Sequence, residues 1–504
     1  MFESASLGRS YSTKEYDALK EDLRGRLFAA QREAREHDVP ALVIIEGVDG
    51  VGKDAVVNLL SAWMDAKNIR NHTFWLETDE EKKRPEAWRY WRALPGKGEM
   101  AVFFGGWYSE PVRKFCCGGL DENDFNRRMQ RWARLERALA ASGTLIVKFW
   151  LHIGKKAHKE RLEQRLKHKG HRSFTPYDKK SEENYDALVG VAAKAITITD
   201  RAYAPWTLID AFDANFRNVA VTRALTAALS SAVAARKTLA QDAPVVTTQV
   251  CPEGSSGPER DDAAAFNALD AVDLSSAREH SEYKKKLAAL QEDIYALTYK
   301  AWKHGISSTL VFEGWDAAGK GGAIRRLTAG MDARIVRVIP ISAPTDEELA
   351  HHYLWRFWRH VPMAGFVTVY DRSWYGRVLV ERVEGLTPPA DWKRAYAEIN
   401  DFEAQLREPH NIVVKYWLHI SQEEQLRRFR ERENTPWKQY KITEEDWRNR
   451  EKFPAYMEAA EEMFARTSTE EAPWHIVPAE DKKYARLDVL RIYRDTLKKA
   501  LKRI

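Results

Sequence analysis

The sequence predicts an α/β protein that contains two copies of one domain, each a parallel β-sheet sandwiched by helices. Three observations support this prediction: landmarks recur at a constant spacing, helix and strand patterns alternate in both halves, and a glycine-rich loop follows the first strand of each half. Alternating βα units fold as parallel sheets covered by helices. The chain has 504 residues, which is enough for about two to four domains of ordinary size.

The duplication appears as motifs that return 267 residues later. EGVDGVGK at Glu46–Lys53 returns as EGWDAAGK at Glu313–Lys320, and WRYWR at Trp88–Arg92 returns as WRFWR at Trp355–Arg359. The same spacing relates Tyr16 to Tyr283, Trp107-Tyr108 to Trp374-Tyr375, and KFWLH at 148–152 to KYWLH at 415–419. APWTLI and APWHIV, near the end of each copy, are 268 residues apart. One register held across so many aromatic residues indicates two homologous domains in tandem.

The junction between the copies is marked by a change in composition. Residues 232–281 lose the aromatic landmarks and include CPEGSSGPERDDAAA, whose Gly, Pro, Ser and acidic residues are typical of a linker. We therefore expect a first domain at 1–231, a linker at 232–281 and a second domain at 282–504. A helix at the end of the first domain can extend into the linker. The two domains are expected to form an intramolecular pseudo-dimer. The sequence leaves open whether the chain also forms a homo-oligomer.

The elements of the second copy can be followed in order. An amphipathic pattern predicts a helix over Tyr283–His304, and the apolar run STLVFEG after it predicts a buried parallel strand. The later strands are predicted at Arg334–Ile339, Phe366–Tyr370, Ile412–Leu418 and Trp474–Val477. Ligands of such sheets bind at the carboxyl ends of the strands, so the functional residues are expected there.

Composition narrows the class of protein. Lys and Arg number 80 and Asp and Glu number 74, and the formal net charge of +6 is small for a dedicated nucleic-acid-coating protein. The three cysteines, Cys116, Cys117 and Cys251, suit neither a disulfide framework nor a CxxC metal motif. We recognise neither a signal peptide nor a run of ~18 apolar residues. The expectation is a cytoplasmic protein that binds neither membranes nor nucleic acid.

The first candidate site is GWDAAGKGG at 314–322, which follows a predicted strand and begins a helix. GxxxxGK is the pattern of a phosphate-binding loop, in which backbone N–H groups and a helix N-terminus surround a phosphate that the lysine also reaches. A glycine-rich turn with a surface lysine is the alternative. The usual GK[ST] ending is absent because Gly321 follows Lys320, and we expect Asp316 to supply the missing Mg²⁺ ligand. The predicted phosphate-binding loop residues are Gly314, Ala317, Ala318, Gly319, Gly321 and Gly322.

The second candidate site is VTVYDRSWYGR at 367–377, an apolar strand that ends in Asp371. P-loop enzymes place a metal-holding carboxylate at the end of a neighbouring strand. Arg372 and Arg377 flank this carboxylate and could clamp phosphate oxygens, whereas an Asp–Arg surface pair is the alternative. The two sites together predict a P-loop kinase-like domain. Its catalytic residues would be Asp316, Lys320, Asp371 and Arg372, with Mg²⁺ held by the two aspartates.

A third candidate element is a polar, basic segment after the strand Ile412–Leu418. Its sequence, LRRFRERENTPWKQYKITEEDWRNREKF, is interrupted by Pro436 and has no obvious place in the sheet. It fits a helical lid that closes over phosphates and excludes water. An exposed pair of charged helices is the alternative, because glutamates alternate with the cations. The candidate phosphate-binding cations are Arg427, Arg430 and Lys438.

These motifs resemble a known family when they are taken in order. GWDAAGKGG, FWRHVPMAGFVTVYDRSWYGR, KYWLHISQEEQLRRF and PWHIVPAEDKKYARL resemble the polyphosphate kinase 2 family over essentially all of 283–500. The tandem arrangement resembles the fused class of that family, the polyphosphate:AMP phosphotransferases. The resemblance implies Mg²⁺-dependent transfer of the terminal phosphate of inorganic polyphosphate to AMP, which forms ADP. It also implies a basic channel for polyphosphate and a nucleotide site beneath the lid, and the AMP preference depends on the class resemblance alone.

The first copy has lost most of the chemical groups. It keeps Asp49 and Lys53, but Asp54 and Ala55 replace the two glycines that follow the lysine of the second copy. At the positions of Asp371, Arg372 and Arg377 it has Phe104, Gly105 and Glu110, and Glu160 and Glu163 replace Arg427 and Arg430. We therefore expect only the second domain to catalyse transfer. The first keeps the WRYWR helix and a basic stretch at 155–172, and it either binds polyphosphate or only completes the pseudo-dimer.

Three other functions are compatible with parts of the sequence. An ATP-dependent nucleoside monophosphate kinase would share the phosphate-binding loop, although the missing GK[ST] ending and the DRSWY sequence disfavour it. A non-catalytic nucleotide- or polyphosphate-binding protein fits the first domain better than the second. A nucleic-acid binder would use the basic segments, but their interleaved acids make this the weakest interpretation.

Overall fold

The computed structural model describes residues 2–48, 50–74, 76–167, 184–241, 268–269, 271–274, 282–407, 410–435, 442 and 444–503. Most of the predicted linker lies outside the described residues, as do Asp49, Cys251, Pro436 and Lys438, and so does the end of the basic stretch 155–172. The chain divides into two compact units. The first comprises Met1–Thr78, Arg89–Cys251 and Asp346–His352, and the second comprises Asp79–Trp88, Pro252–Thr345 and Tyr353–Ile504.

The predicted α/β duplication is confirmed, because each sequence repeat forms a five-stranded, fully parallel sheet flanked by helices. The strands of the first sheet are β1 Ala41–Gly47, β2 Ile69–Thr73, β3 Met100–Phe104, β4 Leu145–His152 and β5 Trp206–Asp210, in the order β2-β3-β1-β4-β5. The helices of this repeat are α1 Thr13–Glu36, α2 Lys53–Trp63, α3 Trp88–Trp91, α4 Ser109–Cys116, α5 Glu122–Ala141, α6 Lys155–Lys167, α7 Tyr185–Thr199 and α8 Ala214–Gln241.

The second sheet repeats this order with strands β6 Ser307–Gly314, β7 Val336–Pro340, β8 Val367–Asp371, β9 Asn411–His419 and β10 Trp474–Pro478, arranged β10-β9-β6-β8-β7. The helices are α9 Tyr283–Lys303, α10 Lys320–Thr328, α11 Asp346–Leu349, α12 Trp355–Trp358, α13 Val380–Val383, α14 Pro389–Leu406, α15 Gln422–Glu433, α16 Glu444–Glu451, α17 Phe453–Thr467 and α18 Lys482–Leu501. The central strand β6 is buried along nearly its whole length. Its carboxyl end meets those of β8 and β9, which places the loop after β6 between them.

One buried polar network recurs in both sheets. In the second unit, the fully buried Lys415 on β9 donates hydrogen bonds to Glu403 on α14 (2.9 Å), to the Tyr375 hydroxyl (3.0 Å) and to the Thr467 carbonyl (2.6 Å). The indole N–H of Trp374 donates to the same glutamate at 3.1 Å. The network fixes the segment after β8 against the sheet. Its equivalents in the first unit are Lys148, Glu136, Tyr108, Thr199 and Trp107.

Helix α8 combines length with an apolar composition. Its residues Ala214–Thr238 could cross a membrane by length and composition, with a mean hydropathy of 1.2. Val221, Leu225 and Leu229 are fully buried, and the helix packs against α1 and the sheet of its own unit. Packing in the core of its own unit therefore accounts for the apolar face of α8. A single helix of this kind is weak evidence of a membrane span.

Candidate active site

The loop after β6 has the backbone shape that its glycines predict. Gly314 has a φ of 132°, and a Cβ added there would lie 2.4 Å from the carbonyl oxygen of Leu418 on the neighbouring strand. Gly319 has a φ of 106° and is the N-cap of α10. The positive φ disfavours a side chain at both positions, and at Gly314 the close approach of Leu418 also excludes one. The loop thus leads from the sheet directly into the N-terminus of a helix, where backbone N–H groups favour an anion.

Lys320 and Asp316 lie together in this loop. The Lys320 ammonium donates to the carbonyl oxygens of Gly314 (2.6 Å) and Trp315 (3.1 Å), and burial lowers its pKa. Burial alone would raise the pKa of Asp316, but the charges of Lys320 and Arg372 and the hydrogen bonds to its carboxylate hold that pKa below its usual value. The loop therefore presents a carboxylate and an ammonium side by side, the former stabilised in its charged form.

The predicted strand-end residues reach the same place. Asp371 is the last residue of β8, and a Cβ added to Gly321 in the loop would lie 3.9 Å from its Oδ2 atom. The next residue, Arg372, donates to Oδ1 of Asp316 at 3.1 Å. Arg372 has a φ of 66°, a left-handed conformation that costs a non-glycine residue ~1–2 kcal/mol. A strained backbone thus aims a half-exposed guanidinium at the loop.

A further carboxylate lies beneath the loop and was not among the predicted site residues. Glu313, at the end of β6, is buried and accepts a hydrogen bond from the Ser373 hydroxyl at 2.8 Å. Burial raises its pKa, while the Ser373 hydrogen bond and the charges of Lys320 and Arg372 oppose that rise. The sequence signal was present, because the glutamate recurs as Glu46 before the loop of the first copy.

Arg428 supports the phosphate-binding loop from the base of the lid. It is 2% exposed on α15. Its guanidinium donates to the carbonyls of Ala317 and Ala318 (both 3.0 Å), Ala479 (2.7 Å) and Glu480 (2.9 Å). These bonds hold the carbonyls of Ala317 and Ala318 and tie the loop to the residues that follow β10. In the first unit, Arg161 makes the matching bonds to Gly50, Ala211 and Phe212, and this retention in both copies is the sequence signal that could have revealed it.

The lid segment contacts the loop through residues that were not predicted. Asn449 on α16 donates to Oδ2 of Asp316 at 3.0 Å and accepts a hydrogen bond from the Tyr456 hydroxyl at 3.2 Å. Gln425 on α15 donates to the backbone carbonyl of Asp316 at 3.3 Å. Both carboxylate oxygens of Asp316 therefore have protein donors, one of which comes from the lid.

Several predicted cations do not reach the loop. Arg427 is exposed and forms two hydrogen bonds with Glu424, each 2.6 Å long, and Arg430 is exposed on the same helix. Arg377 lies 2.9 Å from Glu381 and over the ring of Tyr353. Lys438 lies outside the described residues.

Three cavities meet at the phosphate-binding loop. The largest, about 830 Å³, is lined by all four predicted catalytic residues, Asp316, Lys320, Asp371 and Arg372. A second, of about 90 Å³, adds apolar and aromatic surface from Leu379, Val380, Trp417 and Tyr456. A third, of about 180 Å³, is lined by Arg325, Arg428, Arg432, Lys482 and Arg486 together with Glu431. The loop residues Ala317, Ala318, Gly319 and Gly322 line both the first and the third cavity, Gly321 lines the first and Gly314 the second.

The two aspartates fit a divalent metal ion that also binds substrate. No group of three or more His, Cys, Asp or Glu side chains that could hold a metal occurs within the described residues. Within this part of the chain, nothing therefore indicates a metal ion that protein side chains alone would hold. Asp316 and Asp371 line one cavity, and Mg²⁺ is commonly held by one or two carboxylates plus phosphate oxygens. The donor set is thus suited to an ion that arrives with a phosphate.

A glycine loop that leads into a helix, with a lysine, two carboxylates and an arginine at one cavity, defines a P-loop phosphotransferase. The model of the family described as polyphosphate kinase 2 (PPK2) matches residues 10–237 and 277–504. The chain therefore belongs to the polyphosphate kinase 2 family, as its sequence resemblance implied. Kinases of this kind require, in general terms, a divalent metal ion.

Full-length relatives agree with this assignment. The chain is 44% identical over 505 residues to a polyphosphate:AMP phosphotransferase of Pseudomonas aeruginosa, with 100% of both chains covered. It is also 44% identical over 509 residues to one of Pseudomonas syringae pv. tomato, covering 100% of this chain and 99% of the relative. A crystal structure described as a polyphosphate kinase 2 of P. aeruginosa superimposes with a TM-score of 0.88 at 42% identity and covers 100% of both chains. Both repeats are thus shared with these relatives.

Proposed function

We propose that the chain transfers the terminal phosphate of inorganic polyphosphate to AMP, forming ADP, and that the C-terminal repeat carries out this reaction. The observation that supports it most directly is the convergence of Asp316, Lys320, Asp371 and Arg372 on one cavity at the phosphate-binding loop. The relatives named polyphosphate:AMP phosphotransferase support the choice of donor and acceptor.

The physical difficulty of this reaction is to bring two polyanions into line. The acceptor is already an ionised phosphate, so no strong base is required. Lys320, the backbone N–H groups of the loop and Arg372 neutralise the phosphoryl oxygens and hold donor and acceptor in line. Mg²⁺ is the proposed metal, with Asp316 and Asp371 as its ligands, and it neutralises phosphate charge when bound. Asn449 and Arg372, which donate to Asp316, orient that carboxylate.

The two substrates are proposed to approach the loop from different sides. Polyphosphate has no apolar part and suits the cavity where Arg325, Arg428, Arg432, Lys482 and Arg486 converge. A nucleoside needs apolar or aromatic surface, which Leu379, Trp417 and Tyr456 offer on the side of Arg372. AMP would then place its phosphate against Arg372, next to the loop. Arg427, Arg430, Arg377 and Lys438 remain candidate phosphate contacts, as the sequence predicts. In this structure Arg427 pairs with Glu424 and Arg377 with Glu381, and Arg430 is exposed.

The N-terminal repeat is proposed to be a non-catalytic partner of the C-terminal one within an intramolecular pseudo-dimer, with boundaries near 1–231 and 282–504. Phe104 stands in register with Ile45 of β1 just as Asp371 stands with Phe312 of β6. The first unit therefore lacks the strand-end carboxylate at the matching position. We also propose that the protein is cytoplasmic and that it binds neither membranes nor nucleic acid. Whether the chain assembles further into a homo-oligomer is left open.

A donor assay tests this function. The full chain is incubated with AMP, Mg²⁺ and either long-chain polyphosphate or ATP as the only donor, and ADP formation is measured with Asp371→Asn as the inactive control. We expect polyphosphate to support phosphorylation of AMP and ATP to be a poor donor. ATP-dependent turnover without polyphosphate-dependent turnover would instead identify a nucleoside monophosphate kinase, and no turnover with either donor would indicate a binding protein. Replacing AMP by ADP or GMP in the same assay defines the acceptor.

A further inference from the structure

The basic cavity beside the phosphate-binding loop of the second unit depends on a small side chain. Ala485, on the first turns of α18, is 3% exposed and forms part of the wall of this cavity of about 180 Å³. Gly319, Gly322 and Arg432 line both this cavity and the cavity of about 830 Å³ that the four predicted catalytic residues line. The space next to Ala485 is therefore continuous with the loop that would hold the transferred phosphate.

The first unit has an arginine at this position. α8 and α18 follow equivalent strands, β5 and β10, at the 268-residue spacing, so Arg217 corresponds to Ala485. Gly52 corresponds to Gly319 at the 267-residue spacing that relates the two loops. Asp213 and Asp481 support this equivalence, because both accept backbone N–H bonds at the starts of their helices.

Arg217 occupies the space beside the first loop. Its side chain is buried, and its Nη1 atom donates to the carbonyl of Val51 at 3.0 Å. A Cβ added to Gly52 would lie 2.0 Å from that nitrogen. Nε and Nη2 both donate to the side-chain oxygen of Asn218, at 3.2 and 2.9 Å. The guanidinium therefore lies directly against the loop glycine, with protein acceptors for its donor atoms.

The charge of Arg217 does not turn this space into a phosphate site. Asp54, which replaces Gly321, is among the carboxylates that interact electrostatically with Arg217. Asp213 is another of these carboxylates, whereas the charge of Arg161 repels the Arg217 guanidinium. Asp54 therefore places an acidic side chain in the first turn of the helix, where a phosphate would otherwise bind. In the second unit the corresponding loop position is glycine and the neighbouring space is open.

We infer that the residue at this position decides which repeat accepts the donor. Ala485 leaves room for polyphosphate phosphates beyond the one transferred, whereas Arg217 closes the first loop to polyphosphate. The inference rests on the proposed function, since it specifies where the donor of that reaction binds. It excludes the loop of the N-terminal repeat as a polyphosphate site, because a closed loop leaves that repeat without a loop-bound substrate. It does not concern the basic stretch at 155–172.

Ala485→Arg places an arginine side chain beside the loop of the catalytic repeat and tests whether filling this space excludes the donor. The partners of Arg217, Asn218 and Asp54, are replaced there by Arg486 and Gly321, so the variant tests the filled space alone. We expect the KM for polyphosphate to rise about tenfold or more, while the KM for AMP stays within about twofold, because the acceptor side is untouched. The matched control is Arg217→Ala in the other repeat, which should leave both KM values unchanged. An unchanged KM for polyphosphate in a folded Ala485→Arg enzyme would overturn the inference.

Binding stoichiometry gives an independent test on the full chain. Titration with a linear hexaphosphate at ~0.15 M salt, followed by calorimetry, should find one site in the wild type and none in Ala485→Arg. Two sites in the wild type, or a retained site in the variant, would contradict closure of the first loop. If Ala485→Arg does not fold, Arg486→Gln tests the same cavity and should raise the KM for polyphosphate about threefold or more, and an unchanged value would overturn the assignment. Absence of polyphosphate-dependent turnover in the wild type would instead refute the proposed function.

Discussion

The two phosphate-binding loops share a backbone but not a chemistry. Lys53 and Lys320 both donate to the carbonyl of the glycine that ends the central strand, at 3.0 and 2.6 Å. Gly105 and Arg372, which follow the neighbouring strands β3 and β8, also have the same φ, 66°. The side chains that follow differ, since the first unit places the ring of Phe104 about 6.0 Å from its lysine where the second unit has Asp371. The two units therefore share the shape of the loop, and the proposed catalysis depends on a few side chains that the second unit alone has.

The largest expected effect concerns the strand-end carboxylate. Asp371→Asn removes a charge and the proposed metal ligand but keeps the side-chain shape, so we expect turnover of polyphosphate and AMP to fall about 10³-fold. Lys53→Ala, its control in the first unit, should change turnover by less than about twofold. Steady-state kinetics on both variants check this. Full activity in Asp371→Asn, or a loss confined to Lys53→Ala, would reverse the roles assigned to the two repeats.

The second prediction concerns what the units have in common. Lys415→Met leaves Glu403 charged and buried, and Lys148→Met does the same to Glu136. Because removal of one partner of a buried ion pair costs about 3–5 kcal/mol, each substitution should lower the free energy of unfolding of its own unit by that amount. Hydrogen exchange of the β4 and β9 amides in increasing denaturant measures each unit separately.

The control for this prediction removes both charges of a pair. Lys415→Met combined with Glu403→Leu leaves no unpaired buried charge and should recover much of the lost stability. The lysine substitution in one unit could instead lower the free energy of unfolding by less than about 1 kcal/mol, and the one in the other unit by the full amount of about 3–5 kcal/mol. The buried networks of the two units would then not be equivalent.

The framework was predictable from the sequence because it depends on local patterns. The apolar run before GWDAAGKGG and the later strand candidates correspond to β6–β10, with ends within two residues of those predicted. The approach of Asp371 to the phosphate-binding loop also followed from topology, since the carboxyl ends of adjacent parallel strands meet at one edge. Periodicity and strand order were sufficient for these features.

The remaining site residues depend on side-chain direction and on contacts distant in sequence. Arg377 is close to Asp371 in sequence, but a 3₁₀ turn at Trp374–Arg377 carries it to Glu381. Arg428 and Asn449 reach the loop from helices more than 100 residues away in sequence. Neither a motif nor a spacing predicts such long-range contacts. Within this sequence, they can be suspected only where both copies keep the same residue, as with Arg161 and Arg428.

The smallest expected change in stability concerns Arg372, the residue with the strained backbone. Arg372→Gly should abolish most of the activity yet stabilise the second unit by about 1 kcal/mol. Glycine adopts the left-handed conformation without the penalty of ~1–2 kcal/mol. The lost ion pair with Asp316 involves a half-exposed arginine and contributes ~1 kcal/mol or less. Activity and thermal unfolding of the same preparation measure the two effects together.

Gly105→Ala is the reciprocal substitution in the first unit. It should cost about 1 kcal/mol, because the residue keeps its positive φ and the added Cβ would lie 2.8 Å from the Ser109 hydroxyl oxygen. Activity should change little, since we propose that the second unit catalyses the reaction. If Arg372→Gly lowered the stability of the second unit, the left-handed backbone at this position would be held by the arginine's contacts. The same φ in the first unit would then depend on Gly105 alone. The framework that the two units share would not explain the backbone conformation at both positions.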